Sequence, residues 1–300
     1  DITVGNGTAG NFSGSGTTYT ADITPSAQGA VTVDVAANVA QDAAGNNNTA
    51  ATQLSRIYDT TAPTAPTVTS AAASTNITMP EWTWNPGTGG NGTYRYRLDN
   101  NDLTSGATET TTASYTPATG LSDGAHTLYV QERDEAGNWS TSGSYAVTID
   151  GTAPTVTITS GASSNTNTSP IPITITFSES VTGFVIGDLT VGNGTAGNFS
   201  GSGTAYTADI TPSGQGAVTV DVAANVAQDA AGNLNTAATQ LSRTYDNTAP
   251  TVTITSAAPT NTNTSPISVT ITFSESVTGF VIGDITVGNG TAGNFSGSGT

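Results

Sequence analysis

The chain repeats itself, and no other feature constrains its fold so tightly. Residues 1–63 match residues 188–250 with six differences, and residues 153–204 match residues 249–300, again with six. The second offset is 96 residues, about the length of one β-sandwich domain. A short pattern recurs inside the repeat: Asp42-Ala-Ala-Gly-Asn46, Asp134-Glu-Ala-Gly-Asn138 and Asp229-Ala-Ala-Gly-Asn233. Each copy leads into a strand-like run, then an Asp, then Thr-Ala-Pro. The turn Asp and the later Asp (Asp59, Asp150, Asp246) stand 17, 16 and 17 residues apart. The pattern reads as the last hairpin of one module, followed by the joint to the next.

The joints, ending at Pro63, Pro154 and Pro250, divide the chain. Residues 1–61 are the C-terminal part of a module, 62–152 a divergent module, 153–248 a complete one, and 249–300 the N-terminal part of another. The complete module alternates like strands throughout. Ile171, Ile173, Ile175 and Phe177 share a face, as do Tyr206, Ala208 and Ile210, and Val218, Val220 and Val222. Shorter apolar pieces sit at 184–186 and 189–191, and a last run covers roughly 238–245. About seven short strands in 96 residues, punctuated by Asn-Gly and Ser-Gly pairs, predict an antiparallel sandwich of immunoglobulin type. Residues 223–231 are Ala-rich, but Gly232 and nearby β-branched residues argue against a helix. In the middle module Trp82 and Trp84 share one strand face, and Tyr94, Tyr96 and Leu98 share another, with Arg95 and Arg97 opposite. The expected fold class is all-β: tandem Ig-like antiparallel β-sandwich modules, two complete and two partial. The partial ones lack complementary strands and expose unpaired edges.

Residues 1–17 reappear letter for letter at 284–300, which predicts an excerpt of a longer repetitive protein with targeting signals elsewhere. There is no cysteine, so nothing depends on disulfides or thiols. A formal charge of −17, with five arginines and no lysine, excludes nucleic acid and anionic lipid as expected partners. It fits divalent cations and a saline exterior. No run is long and apolar enough to span a membrane, so no membrane insertion is expected in this segment.

Several stretches resemble the bacterial Ig-like repeats of giant surface adhesins, including biofilm-associated and RTX-type adhesins. The carriers are Phe177-Ser-Glu-Ser-Val-Thr-Gly-Phe184, Tyr206…Ile210-Thr-Pro212, Asp229-Ala-Ala-Gly-Asn233 and Asp246-Asn-Thr-Ala-Pro250. Trp82-Thr-Trp84, Tyr94-Arg-Tyr-Arg-Leu-Asp99 and Gly124-Ala-His-Thr-Leu-Tyr-Val130 resemble a second repeat type of similar proteins. The resemblance implies a Ca²⁺-stiffened extracellular stalk on a bacterial surface, carrying a terminal binding or anchoring domain that this stretch does not contain.

Catalytic readings find little purchase, and no enzyme is expected. The single histidine, His126, lies in a strand-like run and is expected to be structural. No Gly-x-Ser-x-Gly sits at a strand–helix turn. Gly201-Ser-Gly203 reads as a Gly/Ser turn, repeated at Gly14 and Gly297. Trp82, Trp84, Tyr94, Tyr96 and Trp139 could stack on sugars, but alternating aromatics on adjacent strands are also what a sandwich core needs. Core is the expectation, with Trp139 the most exposed member.

The repeated carboxylates are the candidate metal ligands. Asp, Gly and Asn make good turns in any case; that leaves an Asp before every Thr-Ala-Pro unaccounted for. The last strand runs from the acidic turn at one pole to the joint Asp at the other, spanning about 27–30 Å at ~3.3 Å per residue. A Ca²⁺–oxygen bond is only ~2.3–2.6 Å. Asp229 and Asp246 therefore cannot share an ion, and each joint Asp must meet the near pole of the next module. The expected groups are Asp150 with Glu179 and Asp229; Asp59 with Asp134, helped by Glu135 or the 85–92 loop; and Asp246 with Glu275 and an acidic turn beyond residue 300. Asp42 is assigned to a joint before residue 1. Carboxylates and turn carbonyls suit Ca²⁺, which extracellular modules bind at ~10⁻⁴–10⁻³ M.

The leading functional expectation is a calcium-stiffened extender whose partners are neighbouring modules of the same chain. A second is a repeat or subunit of an extracellular filament, sheath or surface layer, in which other copies join in a fibre or biofilm matrix by filling open sheet edges. A third is an accessory carbohydrate-binding array.

Overall fold

A computed structural model describes residues 1–299; Thr300, the end of the expected 249–300 piece, lies outside the described residues. Apart from two single 3₁₀ turns, every regular element among them is a strand. The fold is all-β, as the alternation predicts. Two compact units can be separated. One holds residues 1–154 with 180–182 and 227–235; the other holds 155–179, 183–226 and the chain from 236 onward.

The first unit begins with a three-stranded antiparallel sheet in the order Ile2–Gly5, Gly29–Val35, Leu54–Tyr58, beside the hairpin of Gly7–Ser15 and Thr18–Pro25. Residues 62–152 then form a full sandwich. One sheet runs Thr108–Thr110, Thr93–Leu98, Gly124–Arg133, Gly143–Ile149, Ser74–Thr75; the other runs Ser114–Tyr115, Trp82–Asn85, Thr67–Ser70. Val68, Trp82 and Trp84 from the smaller sheet meet Tyr94, Leu128, Val130, Val147 and Ile149 from the larger. Trp82 is 0% exposed, and its indole N–H donates to the Tyr145 carbonyl at 3.1 Å. The tryptophans thus fill the core, because period-two alternation on Trp82–Asn85 turns both rings inward. Trp139 is half-buried, with the Arg95 guanidinium 4.3 Å and that of Arg133 5.4 Å from its ring centroid. Its expected exposure is therefore only partial: cation–π contacts cover it.

In the second unit Val156–Thr159, Ile171–Val181 and Gly194–Pro212 form one sheet. Asn165–Thr166, Leu241–Tyr245, Gly216–Val222 and Leu189–Gly192 form the other. Ile171, Ile173, Ile175 and Phe177 are all buried, as their spacing predicts, and so are Tyr206, Ala208 and Ile210 and Val218, Val220 and Val222. The long strand Gly194–Pro212 folds back through its Gly/Ser stretch: Asn198 donates to Asp209 at 2.9 Å, and the Ser200 and Thr207 hydroxyls bond at 2.9 Å.

Two details depart from expectation. Residues 184–186 are not a strand: Phe184 is buried, but Val185 and Ile186 are exposed and lead into the 3₁₀ turn Ile186–Asp188. The Asp188 carboxylate accepts the Val185 N–H at 2.8 Å, which closes the chain into a turn. The sandwiches also are not purely antiparallel. Ser74–Thr75 pairs parallel to Thr148–Ile149, and Asn165–Thr166 parallel to Thr244–Tyr245.

Candidate metal centre

The acidic turns are built by their own hydrogen bonds. Asp229 is 5% exposed. Its Oδ1 accepts the backbone N–H groups of Ala231, Gly232 and Asn233 at 2.8, 2.7 and 2.9 Å, and its Oδ2 accepts the Asn233 side-chain amide at 2.9 Å. Burial pushes this carboxyl's pKa up, but the bonds from Asn233 and the turn N–H groups outweigh it and hold the group below its ordinary value of 3.8. The turn needs glycine at its fourth position, where φ is +84° at Gly45, +97° at Gly137 and +93° at Gly232. Asp134 and Asn138 repeat the geometry, with bonds of 2.8 and 2.9 Å, and so do the exposed Asp42 and Asn46, with bonds of 2.9 and 2.8 Å.

Asn does more than make the turn. The Asn233 amide also donates to the backbone carbonyl of Asp150 at 2.8 Å, and the Asn138 amide to that of Asp59 at 3.1 Å. One side chain thus ties an acidic turn to the joint Asp that precedes its module. Sequence reasoning explained Asn233 as a turn former alone; the recurrence of Asn at the fifth position, which includes Asn46, does not by itself reveal the second bond.

The joint aspartates have a local role of their own. Oδ1 of Asp59, Asp150 and Asp246 accepts the N–H of the residue two ahead, Thr61, Thr152 and Thr248, at 2.9, 3.0 and 2.9 Å. This Asx turn starts the joint and explains, without any ion, an Asp before every Thr-Ala-Pro.

Asp150 and Asp229, both in the first unit, nonetheless converge: a carboxylate oxygen of each lies within 4.8 Å of the other. Glu179 belongs to the second unit. Two oxygens on one Ca²⁺, at ~2.4 Å each, stand at most ~4.8 Å apart. The donor set is hard oxygen, which fits that ion. Two carboxylate oxygens within that distance repel by roughly 3.5 kcal/mol or more at an effective dielectric constant of about 20, a cost that a bound divalent cation would offset.

The remaining candidates are placed less fully. Asp134 and Asp59 are linked through Asn138, and from the 85–92 loop the Asn91 amide donates to the Asp134 carbonyl at 3.1 Å, while other donors of the loop turn to Glu132. The N–H groups of Gly87 and Gly92 go to the Glu132 carboxylate at 2.7 and 3.2 Å. Glu132 is 0% exposed and went unnoticed in the sequence. An added Cβ at Gly90 would stand 2.0 Å from its carboxyl carbon, so the loop can wrap Glu132 only with glycine there. Glu135 is exposed. Asp246 and Glu275 line one open hollow with Gln215, Thr248 and Ser274. His126 is held by Asp99 at 2.7 Å and by the Ser122 carbonyl at 2.9 Å, a structural placement.

No curated protein matches the chain. A solved structure concerned with host cell surface retention of a 1.5-MDa bacterial ice-binding adhesin is similar over 72% of this chain and 73% of that one, at 16% identity and a TM-score of 0.30. One bacterial Ig-like domain model matches residues 1–58, 150–245 and 246–300, and a second, also of a bacterial Ig-like domain, matches residues 55–151. With those matches covering the repeats, the middle module and the joints between them, the chain belongs to the bacterial Ig-like domains.

Proposed function

We propose that this chain is an extender segment of a bacterial surface adhesin, acting outside the cell as a spacer, with its joints closed by Ca²⁺. The observation that carries the reading is the approach of Asp150 to Asp229, which brings a joint aspartate to the acidic turn of the module after it, with Glu179 proposed as a third ligand. Tandem sandwiches with apolar cores and acidic, cation-poor surfaces suit a spacer, whose work is length and stiffness. Of the aromatic residues that could have stacked on sugars, Trp82, Trp84, Tyr94 and Tyr96 pack in the core of residues 62–152 and Trp139 is covered by Arg95 and Arg133, which favours a structural role over a carbohydrate-binding one.

In this reading Asp150 supports the joint twice. Its carbonyl receives the Asn233 amide, and its carboxylate joins Glu179 and Asp229 around the ion. A bound Ca²⁺ supplies charge neutralisation and fixes an angle that a short linker leaves free. Calorimetric titration of the chain with Ca²⁺ tests this. The expected result is saturable binding near ~10⁻⁴–10⁻³ M, weakened by Asp150→Ala and by Glu179→Gln while circular dichroism stays unchanged. No binding up to ~10⁻² M, well above that range, contradicts the calcium part of the reading.

A further inference from the structure

The joint that leads into residues 62–152 is written differently from the two later ones. Thr-Ala-Pro stands twice in it, as Thr61-Ala-Pro63 and Thr64-Ala-Pro66, so its last proline lies seven residues after Asp59, against four after Asp150 and after Asp246. The extra length would loosen a bare linker. An acidic residue of the later modules is also missing beside it. Val68 pairs with Trp84 as Val156 pairs with Phe177, so Pro86 stands where the other module has Glu179.

A glycine-rich loop takes up the extra residues. The Thr64 N–H donates to the Thr88 carbonyl at 3.1 Å, and the Thr88 N–H to the Thr64 hydroxyl at 2.7 Å. Gly87 lies so close to the joint that an added Cβ would run into the Thr64 carbonyl, and the buried Pro63 lies beside Gly89. The loop is held in turn by the buried Glu132. Its Oε2 accepts the Gly87 N–H and its Oε1 the Gly92 N–H, one oxygen for each end of the loop, and the Tyr94 hydroxyl bonds the same carboxylate. Asn91 ties the loop to the acidic turn. Its backbone N–H donates to the Arg133 carbonyl at 2.9 Å and its side-chain amide to the Asp134 carbonyl at 3.1 Å. Asn138 of that turn holds the Asp59 carbonyl. The joint is gripped at both ends, Asp59 by the acidic turn and Thr64 by the loop, and all of these residues lie in the first unit.

We propose that Glu132 is the positioning residue of a latch that seats the 59–66 joint whether or not an ion is bound. A carboxylate so deeply buried is costly to keep, and its bonds secure both ends of the loop on which the joint rests. The latch rests on the reading of the chain as a spacer and goes beyond its calcium part, whose acidic pair lies at the other joint. It gives the spacer one joint that stays seated where Ca²⁺ is scarce.

Amide exchange of the whole chain, with ~1 mM Ca²⁺ and with chelator, tests the latch. The Thr64 and Thr88 N–H groups should be protected equally in both. In Glu132→Gln the side-chain NH₂ must face either the Gly87 or the Gly92 N–H, donor against donor, so one end of the loop opens. Thr64 and Thr88 should then exchange up to about tenfold faster, as for the loss of about one hydrogen bond, while Leu128 and Val130 in the core keep their protection. Thr64→Val, outside the core, removes the hydroxyl acceptor and should speed Thr88 in the same way, and Thr64→Ser should restore it; this pair decides the matter if Glu132→Gln does not fold. Protection of Thr64 and Thr88 that appears only with Ca²⁺ overturns the latch. So does exchange unmoved by Glu132→Gln, exchange that rises only in step with the core, or Thr88 exchange unmoved by Thr64→Val. Asp150→Ala, at the other joint, should leave both amides as they are, so the calcium reading can fail without the latch failing, and the reverse.

Discussion

Residues 153–248 and the two end pieces are written in nearly the same letters, yet they bury different things. Ile171 is 2% exposed and its counterpart Ile267 is 53%; Tyr206 is 5% exposed and Tyr19 is 55%. The strands of the second end piece are shorter, Thr270–Phe273 against Ile171–Val181, but where they pair the register is kept. Val156–Thr159 pairs with Ile171–Val181 in the register that Val252–Thr255 uses with Thr270–Phe273, shifted by the 96-residue repeat. Pairing within a sheet is therefore encoded locally, while burial belongs to the opposite sheet. A sandwich stabilises itself only when both faces are present, because the hydrophobic term follows the area removed from water.

The sharpest way to break this comparison is to make the same substitution on both sides of it. Ile175→Ala, at a fully buried site, is expected to cost ~2–5 kcal/mol. Ile271→Ala, at its half-exposed counterpart, is expected to cost under ~1 kcal/mol at concentrations where the chain is monomeric. Amide exchange in the two strands reads both. Equal losses of protection would show that the end piece has a covered core of its own.

A smaller effect sharpens the comparison at the acidic turns. Asn233 bonds both Asp229 and the Asp150 carbonyl, whereas the bonds of Asn46 stay within its own turn at Asp42. Asn233→Ala should therefore cost more than Asn46→Ala, by about one hydrogen bond, ~0.5–1.5 kcal/mol. Equal costs in local amide exchange would remove the joint role assigned to Asn233.

Much of this was legible from the letters. Repetition fixed the modules' length, and period-two alternation identified the strands and the inward tryptophans. Strand rise argued against a shared ion between Asp229 and Asp246 and directed attention to Asp150 and Asp229, which approach each other within one unit. What stayed hidden has a common cause. Glu132 looks like a surface residue because nothing nearby in sequence announces the 87–92 loop that wraps it. The second bond of Asn233 spans 83 residues. The Asx turn of the joint aspartates was local and could have been read from Asp-x-Thr, which recurs at every joint.

The smallest expected effect is electrostatic. The His126 pKa is raised above its ordinary 6.5, first by its hydrogen bond to the Asp99 carboxylate and next by the Ser122 carbonyl. A raised folded pKa means stability fully present below about 6.5 and lost as pH rises through the folded value. The turn aspartates act with the opposite sign. Their pKa values are lowered, so their contribution is present above about 3.8 and lost as pH falls through the folded values. Melting of residues 62–152 in the whole chain, followed from pH 5.5 to 8.5, should decline slightly, and His126→Gln should flatten the decline. An unchanged slope in the variant would mean the Asp99–His126 pair contributes nothing.

The proposal to test is that Ca²⁺ held by Asp150 and Asp229, with Glu179 as a third ligand, stiffens the joint that follows residues 62–152. Small-angle scattering of the chain measures it most directly. With ~1 mM Ca²⁺, in the range extracellular modules bind, the maximum dimension should be at its longest. It should shorten and broaden on chelation, and in Asp150→Ala it should be short with or without the ion. A wild-type profile that is the same with Ca²⁺ and with chelator would contradict the account.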